Sequence, residues 1–176
     1  MVQISILKMK MVIQTALMIA SKKSNTTSSI ETVKLLINME ADINLQNNYG
    51  ETALIFACRF SKKNSFIETV NLLIDNEANL NLQDKNGKTA LMIASQQIIR
   101  YNLIETTKLL IDKGTNINLQ NNDGNTVLMN NSQKLFGYNS IEIIKQLIDN
   151  GANVNLQNKN GDTALMIDFQ HLIRDS

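Results

Sequence analysis

Residues 81–94 carry the sequence NLQDKNGKTALMIA, which combines a turn with the start of a helix. The turn is Asp84-Lys85-Asn86-Gly87, where glycine can adopt a positive φ at no steric cost. Thr89 follows, and its hydroxyl is suited to cap the apolar helix that begins at Ala90. This stretch therefore predicts a turn that leads directly into a helix.

The same pattern recurs every 37 residues along the chain. Three kinds of residue keep this spacing. They are the asparagines that open N-L-Q (Asn44, Asn81, Asn118, Asn155), the turn glycines (Gly50, Gly87, Gly124, Gly161) and the cap threonines (Thr15, Thr52, Thr89, Thr126, Thr163). Such a register across 176 residues indicates a repeat protein.

Gly87-Lys88-Thr89 also has the composition of the end of a phosphate-binding loop, and the repeat tests this alternative. A phosphate-binding loop needs another glycine five positions before Gly87, where Leu82 stands. Lys88 is not kept either, because its equivalents are Gln14, Glu51, Asn125 and Asp162. The repeat therefore favours the turn and cap over a phosphate site.

A second helix in each unit has its own start signal. Ser or Asn recurs with Glu three positions later, at Ser28/Glu31, Ser65/Glu68, Asn102/Glu105 and Asn139/Glu142. This spacing predicts a capping box. Helical apolar spacing follows, at Ile30, Val33, Leu36 and Ile37 in one unit and at Ile141, Ile144, Leu147 and Ile148 in another. Such helix pairs bury their apolar faces by stacking on their neighbours.

The C-terminal ends of these second helices differ between the two halves of the chain. Gly114 and Gly151 stand where a left-handed cap is expected, whereas Glu40 and Glu77 occupy that position in the earlier units. A positive φ at each glutamate costs about 1 kcal/mol. We therefore expect the N-terminal half to be the less stable one.

The composition excludes several classes of protein. Apolar residues make up 43% and charged residues 19%, which is typical of a folded chain. The net charge of +1 provides no overall electrostatic attraction to nucleic acid or to an anionic membrane. Cys58 takes a position held elsewhere by Ser21, Ser95 and Ser132, which indicates a demand for a small side chain. His171 has no Cys or His near it in the sequence. We expect no catalytic group, metal or cofactor.

Residues 89–94, TALMIA, resemble the T-P-L-H-x-A motif of the ankyrin repeat family. Residues 147–161, LIDNGANVNLQNKNG, resemble the family's second helix and the finger that follows it. The departures are Ala or Val for Pro, Met or Ile for His, and 37 residues rather than about 33. This long, asparagine-rich variant is similar to arrays encoded by giant DNA viruses of amoebae.

The resemblance implies an all-α ankyrin-repeat solenoid of stacked helix-turn-helix units joined by β-turn or hairpin fingers. We expect a single array over 1–176, with units at 7–43 (degenerate), 44–80, 81–117, 118–154 and 155–176 (partial). The last unit ends after its first helix, and neither end has a clearly polar outer face. The sequence thus predicts either a fragment of a longer array or self-association through uncapped ends.

The resemblance also implies a non-enzymatic, intracellular module, in the cytoplasm (the host cytoplasm for a viral protein), that binds a protein through the concave face and binds neither nucleic acid nor membrane. The family's variable positions give the candidate contact residues Tyr49, Glu51, Arg59, Phe60, Lys85, Lys88, Gln96, Gln97, Asp123, Asn125, Gln133, Lys134, Lys159 and Asp162. The inter-helix loops, with Tyr101, Phe136 and Tyr138, are an alternative surface. The main rival is a truncated or degenerate array whose face is merely solvated, and a phosphotransferase ranks third.

Overall fold

The fold was taken from a computed structural model, which describes residues 16–22, 27–60, 65–96, 102–132 and 138–174. The chain in these ranges forms nine helices and no strand. They are α1 (16–22), α2 (Thr27–Asn38), α3 (Ala53–Arg59), α4 (Ser65–Asp75), α5 (Ala90–Ser95), α6 (Asn102–Asp112), α7 (Val127–Ser132), α8 (Tyr138–Asp149) and α9 (Ala164–Arg174). The predicted all-α architecture is confirmed.

The helices stack in two rows. The first row runs α3, α5, α7 and α9, the second runs α2, α4, α6 and α8, and each helix packs on the next member of its row. Helices α3 and α4, α5 and α6, and α7 and α8 also pack against each other as pairs. Four connecting segments follow the second-row helices, and we name them finger A (40–51), finger B (77–88), finger C (114–125) and finger D (151–162).

The predicted threonine caps start the first-row helices. The Thr52 hydroxyl accepts from the Ile55 amide at 3.2 Å, and the Thr89 hydroxyl accepts from the Met92 amide at 3.3 Å. Thr126 and Thr163 make the equivalent bond. The Ser and Asn residues predicted to cap the second row lie at the first or second helical position, and their side chains fall outside the described part of the chain.

The core lies between the stacked pairs. Leu54, Leu91, Val70 and Leu110 are almost fully buried, and Leu17 and Met18 of α1 join the same core. Met92, together with Met129, is buried where the family motif has histidine. These two methionines therefore pack in the core at the position of the motif's histidine.

One predicted packing face is wrong in part. Ile141 and Ile148 of α8 are exposed, whereas Leu147 is buried as predicted. Ile143, which the apolar spacing missed, is buried as well. The reason is positional: Ile143 and Leu147 lie in the core, but no described helix follows α8 in the second row. Ile141 and Ile148 therefore remain uncovered.

The helix ends behave as the sequence predicts. Glu40 and Glu77 have φ values of 59° and 67°, and Gly114 and Gly151 have φ values of 81° and 88° in the equivalent positions. A Cβ built on either glycine meets no atom within 4 Å, so the strain at the glutamates comes from the backbone conformation rather than from a clash. The lower stability of the N-terminal half stays a prediction.

We predict that Glu77→Gly raises the free energy of unfolding by about 1 kcal/mol, because glycine adopts this φ without strain. Chemical denaturation measures the change. Glu68→Gly, at an exposed position within α4, is the matched control and should lower the free energy of unfolding by about 1 kcal/mol. An unchanged or lower stability of Glu77→Gly would contradict the strain argument.

Candidate functional site

The fingers form the edge on which most of the predicted contact residues lie, and one side chain shapes each finger turn. In finger A, Asn47 Oδ1 accepts from the amides of Tyr49 at 2.8 Å and Glu51 at 3.0 Å. The side chains of Asp84, Asn121 and Asn158 make the same pair of bonds in the other fingers. An Asn or Asp side chain thus fixes the backbone around two candidate contact positions per finger.

A ladder of glutamines ties each finger to the next. Gln46 Nε2 donates to Gly50 O of its own finger at 2.6 Å and to Gln83 O of finger B at 2.7 Å. Gln83 repeats this pattern toward finger C, and Gln120 repeats it toward finger D. Each of these side chains donates to two backbone carbonyls, one in its own finger and one in the next.

The first asparagine of N-L-Q makes a parallel link. Asn44 Oδ1 accepts from the Asn79 amide at 2.7 Å, and Asn44 Nδ2 donates to Glu77 O at 3.1 Å. Asn118 bonds the Asn153 amide and Gly151 O of the following finger in the same way. Finger-to-finger contacts also include backbone bonds, among them Lys85 N to Tyr49 O at 2.9 Å.

The structure places the candidate residues of the sequence analysis in three groups. Tyr49, Lys85, Asp123 and Lys159 are exposed at the finger tips. Half-buried positions, lower on the fingers or at the ends of first-row helices, hold Glu51, Arg59, Phe60, Lys88, Gln96, Asn125 and Asp162. Gln97, Gln133 and Lys134 lie outside the described residues, as do Tyr101, Phe136 and the side chain of Tyr138 in the alternative surface. We call the described members of the candidate set the finger face.

Within a unit, the finger face is cross-linked by pairs of residues eight positions apart. Arg59 Nη2 lies 2.9 Å from Glu51 Oε1. Lys88 Nζ donates to Gln96 Oε1 at 3.4 Å, and Gln170 Nε2 donates to Asp162 Oδ1 at 3.2 Å. Several candidate contact residues therefore already have an internal partner, which holds their side chains in place.

Arg59 also reaches the next finger. Its Nη2 lies 3.3 Å from Asp84 Oδ2, and the Asp84 side chain is only 3% exposed. Asp84 is the one carboxylate at a turn position that the other fingers fill with Asn47, Asn121 and Asn158. The guanidinium therefore compensates a buried charge, and its removal would leave that charge poorly paired.

Phe60 belongs to a small cluster at the end of α3. Its ring lies 5.7 Å from that of Phe56, and Lys22 Nζ lies 4.3 Å from its centroid. This geometry fits an aromatic pair with a cation over one ring. Phe60 thus links α1 to α3 in addition to bordering the finger face.

The structure also bears on the alternatives that would require chemistry. Burial raises the pKa of the Cys58 thiol to about 12, so the reactive thiolate is scarce at neutral pH. A Cβ on Gly87 would lie 2.6 Å from Asn122 N, so finger C packs closely against the glycine of the Gly87-Lys88-Thr89 stretch. Among the described residues, no group of three His, Cys, Asp or Glu side chains is placed to hold a metal ion.

None of the described helices is both long enough and apolar enough to cross a bilayer.

A family model described as ankyrin repeats matches residues 7–67 and 97–170 in three copies, which is more than half of the chain. The chain belongs to the ankyrin repeat family. No curated protein matches it. Ankyrin repeats are generally protein–protein interaction modules and are typically non-enzymatic scaffolds. Residues 68–96, between the two matched stretches, carry the same ankyrin landmarks, including Gly87 and Thr89.

The residues that join neighbouring ankyrin units were not predicted. N-L-Q marks the repeat in the sequence, but no partner was predicted for its Asn and Gln side chains. A signal was present, because both amides recur at Asn44/Gln46, Asn81/Gln83, Asn118/Gln120 and Asn155/Gln157 while flanking positions vary. The bond from Arg59 to Asp84 was missed for a similar reason, since its partners lie 25 residues apart in different units.

We predict that Gln83→Ala lowers the free energy of unfolding by about 1–2 kcal/mol, because two carbonyls lose their donor. Urea denaturation measures the change. Gln157→Ala is the matched control, because Gln157 has the same place in finger D and its side chain makes no such bond to any described residue; its effect should stay within about 0.5 kcal/mol. Equal losses in both variants would show that the ladder contributes nothing.

Proposed function

We propose that the protein is a binding module that holds a partner protein on the finger face. Tyr49 is the observation that carries the proposal. Its side chain is 70% exposed, its amide donates to Asn47 Oδ1 at 2.8 Å, and its carbonyl accepts from Lys85 N at 2.9 Å. An exposed aromatic on a fixed backbone loses little freedom on binding, which favours it as an anchor.

The charges on the finger face indicate what kind of surface it fits. Exposed Lys85 on finger B, Asp123 on finger C and Lys159 on finger D alternate in sign along the array. The half-buried residues add both signs, with Glu51, Lys88 and Asp162. Alternation suits a protein surface of mixed charge better than the uniform phosphates of nucleic acid, which call for a continuous basic strip.

A degenerate array without a specific partner is the second candidate. The observation in its favour is that Glu51, Arg59, Lys88 and Asp162 already have partners within the protein, so a ligand would compete with existing contacts. This candidate does not explain the exposed ring of Tyr49. The bonds that Tyr49 makes to Asn47 and Lys85 use its backbone and not its ring. We therefore rank the binding module first.

The finer assignments of origin and compartment rest on the sequence. From the resemblance of these 37-residue, asparagine-rich units to arrays encoded by giant DNA viruses of amoebae, we propose such an origin. The free Cys58 thiol is compatible with a reducing compartment such as the cytoplasm.

A pull-down with three baits tests the proposed face: wild type, Tyr49→Ala and Lys108→Ala. Tyr49→Ala should lower partner recovery at least about tenfold, because truncating an anchor costs about 2 kcal/mol or more. Lys108→Ala changes an exposed residue of α6, in the second row, and should recover the same partners as wild type. Tyr49 is preferred to Arg59 and Phe60 because the latter two have internal contacts.

Two outcomes would contradict this proposal. Partner lists that are indistinguishable between wild type and Tyr49→Ala would remove the finger face as the binding surface. If wild type enriches no protein over a bait made of an unrelated ankyrin array, the degenerate array becomes the favoured candidate.

A further inference from the structure

The strongest unassigned feature is an apolar surface at the C-terminal end of the array. Its seven side chains are 45–76% exposed, and we call them the end face: Ile141, Ile148, Val154, Leu165, Met166, Phe169 and Ile173. Two of the equivalent residues one unit earlier are covered. Leu128 is 3% exposed where Leu165 is 76% exposed, and Met129 is 1% exposed where Met166 is 50% exposed.

The end face has a ridge with a groove on either side. Leu165, Phe169 and Ile173 are spaced by four residues, so they form one stripe along α9. On one side, a groove of about 410 Å³ is lined by α8 residues that include Ile144 and Ile148, together with Leu165. On the other, a groove of about 450 Å³ is lined by Leu165, Met166 and Phe169 together with the polar Asp162 and Gln170.

A further unit of the same pattern does not fit this surface. The position of Phe169 is held by small, buried residues in the other units: Ser21, Cys58, Ser95 and Ser132. This position points toward the following unit, because Ser95 Oγ accepts from Asn131 Nδ2 at 3.0 Å. A phenyl ring there occupies the space that the next first-row helix would need.

Head-to-tail joining of two copies is blocked for a different reason. Finger D stacks on finger C, and α8 correspondingly stacks on α6. If finger A of a second copy stacked on finger D in this way, helix α1 of the second copy would have to pack on α7 of the first copy. That position on α7 is already occupied by α9 of the first copy.

Two end faces can instead pack against each other. A ridge beside a groove is self-complementary under a two-fold axis, since the ridge of each copy can enter a groove of the other. The seven exposed side chains present on the order of 700 Å², close to the roughly 800 Å² per partner of a standard interface. We propose that the end face is the interface of a two-fold symmetric homodimer.

The end face also carries polar groups. Asp168 lines the groove beside α8, and its Oδ1 is already buried without a hydrogen-bond partner among the described residues. Asp162 and Gln170 line the other groove and bond each other, so a second copy must leave them in contact with water or bond them.

The proposed interface borders the finger face at Asp162 but leaves Tyr49 uninvolved, because fingers B and C separate finger A from α9 in the array. A dimer would carry two finger faces. Two faces on one particle would raise the avidity for a multivalent partner.

Sedimentation equilibrium of the purified chain over about 1–200 µM tests the dimer, a range in which standard-size interfaces associate measurably. The wild-type mass should approach twice the monomer mass of 19.7 kDa and stop there. Leu165→Glu should weaken dimerisation at least about tenfold, since it places a charge in the interface. Phe169→Ser, which places at this position the serine found in three other units, should weaken dimerisation as well. It keeps the test valid if circular dichroism shows that Leu165→Glu is unfolded.

Leu35→Glu is the matched control, because Leu35 is 62% exposed on α2 at the other end of the array. It should dimerise as wild type does. A wild-type mass of one monomer at every concentration overturns the proposal. The proposal is also overturned if oligomers grow beyond two copies, if Phe169→Ser leaves dimerisation unaffected, or if Leu35→Glu loses the dimer.

Discussion

The close approach of neighbouring fingers is the constraint on which the rest of the structure depends. A Cβ added at Gly50 would lie 2.8 Å from Lys85 N, and one added at Gly87 would lie 2.6 Å from Asn122 N. At this distance the backbones of adjacent fingers bond directly, and Gln46 and Gln83 reach carbonyls of the next finger. The glycines thus permit the ladder, and the ladder in turn holds the turns that present the finger face.

The same constraint explains why the ends of the array differ from its middle. Every unit offers one side to its predecessor and another to its successor, and burial is complete only where both are present. Leu165 and Met166 lie on the successor side of the last described unit, so they are exposed although their counterparts are core residues. An array built by stacking therefore has two kinds of surface, a polar finger face along its length and an apolar face at its end.

Much of the fold could be predicted from the sequence because repetition amplifies weak local signals. The threonine caps, the turn glycines and the positive φ of Glu40 and Glu77 were all predicted. Contacts between units were not predicted, since a repeated residue shows that a position matters but not which neighbour it touches. The link from Arg59 to Asp84 and the burial of Ile143 rather than Ile141 are examples. The finger-face assignment rests on the family resemblance, and no local pattern identifies a partner.

Two glycines test the central constraint most directly. Gly87 and Gly161 have nearly the same φ, 74° and 82°, but a Cβ at Gly161 meets nothing within 4 Å. Gly161→Ala should therefore lower the free energy of unfolding by about 1 kcal/mol from backbone strain alone. Gly87→Ala should cost about 2 kcal/mol more, because finger C must move away. Equal losses in the two variants, measured by urea denaturation, would contradict the claim that close finger packing requires glycine.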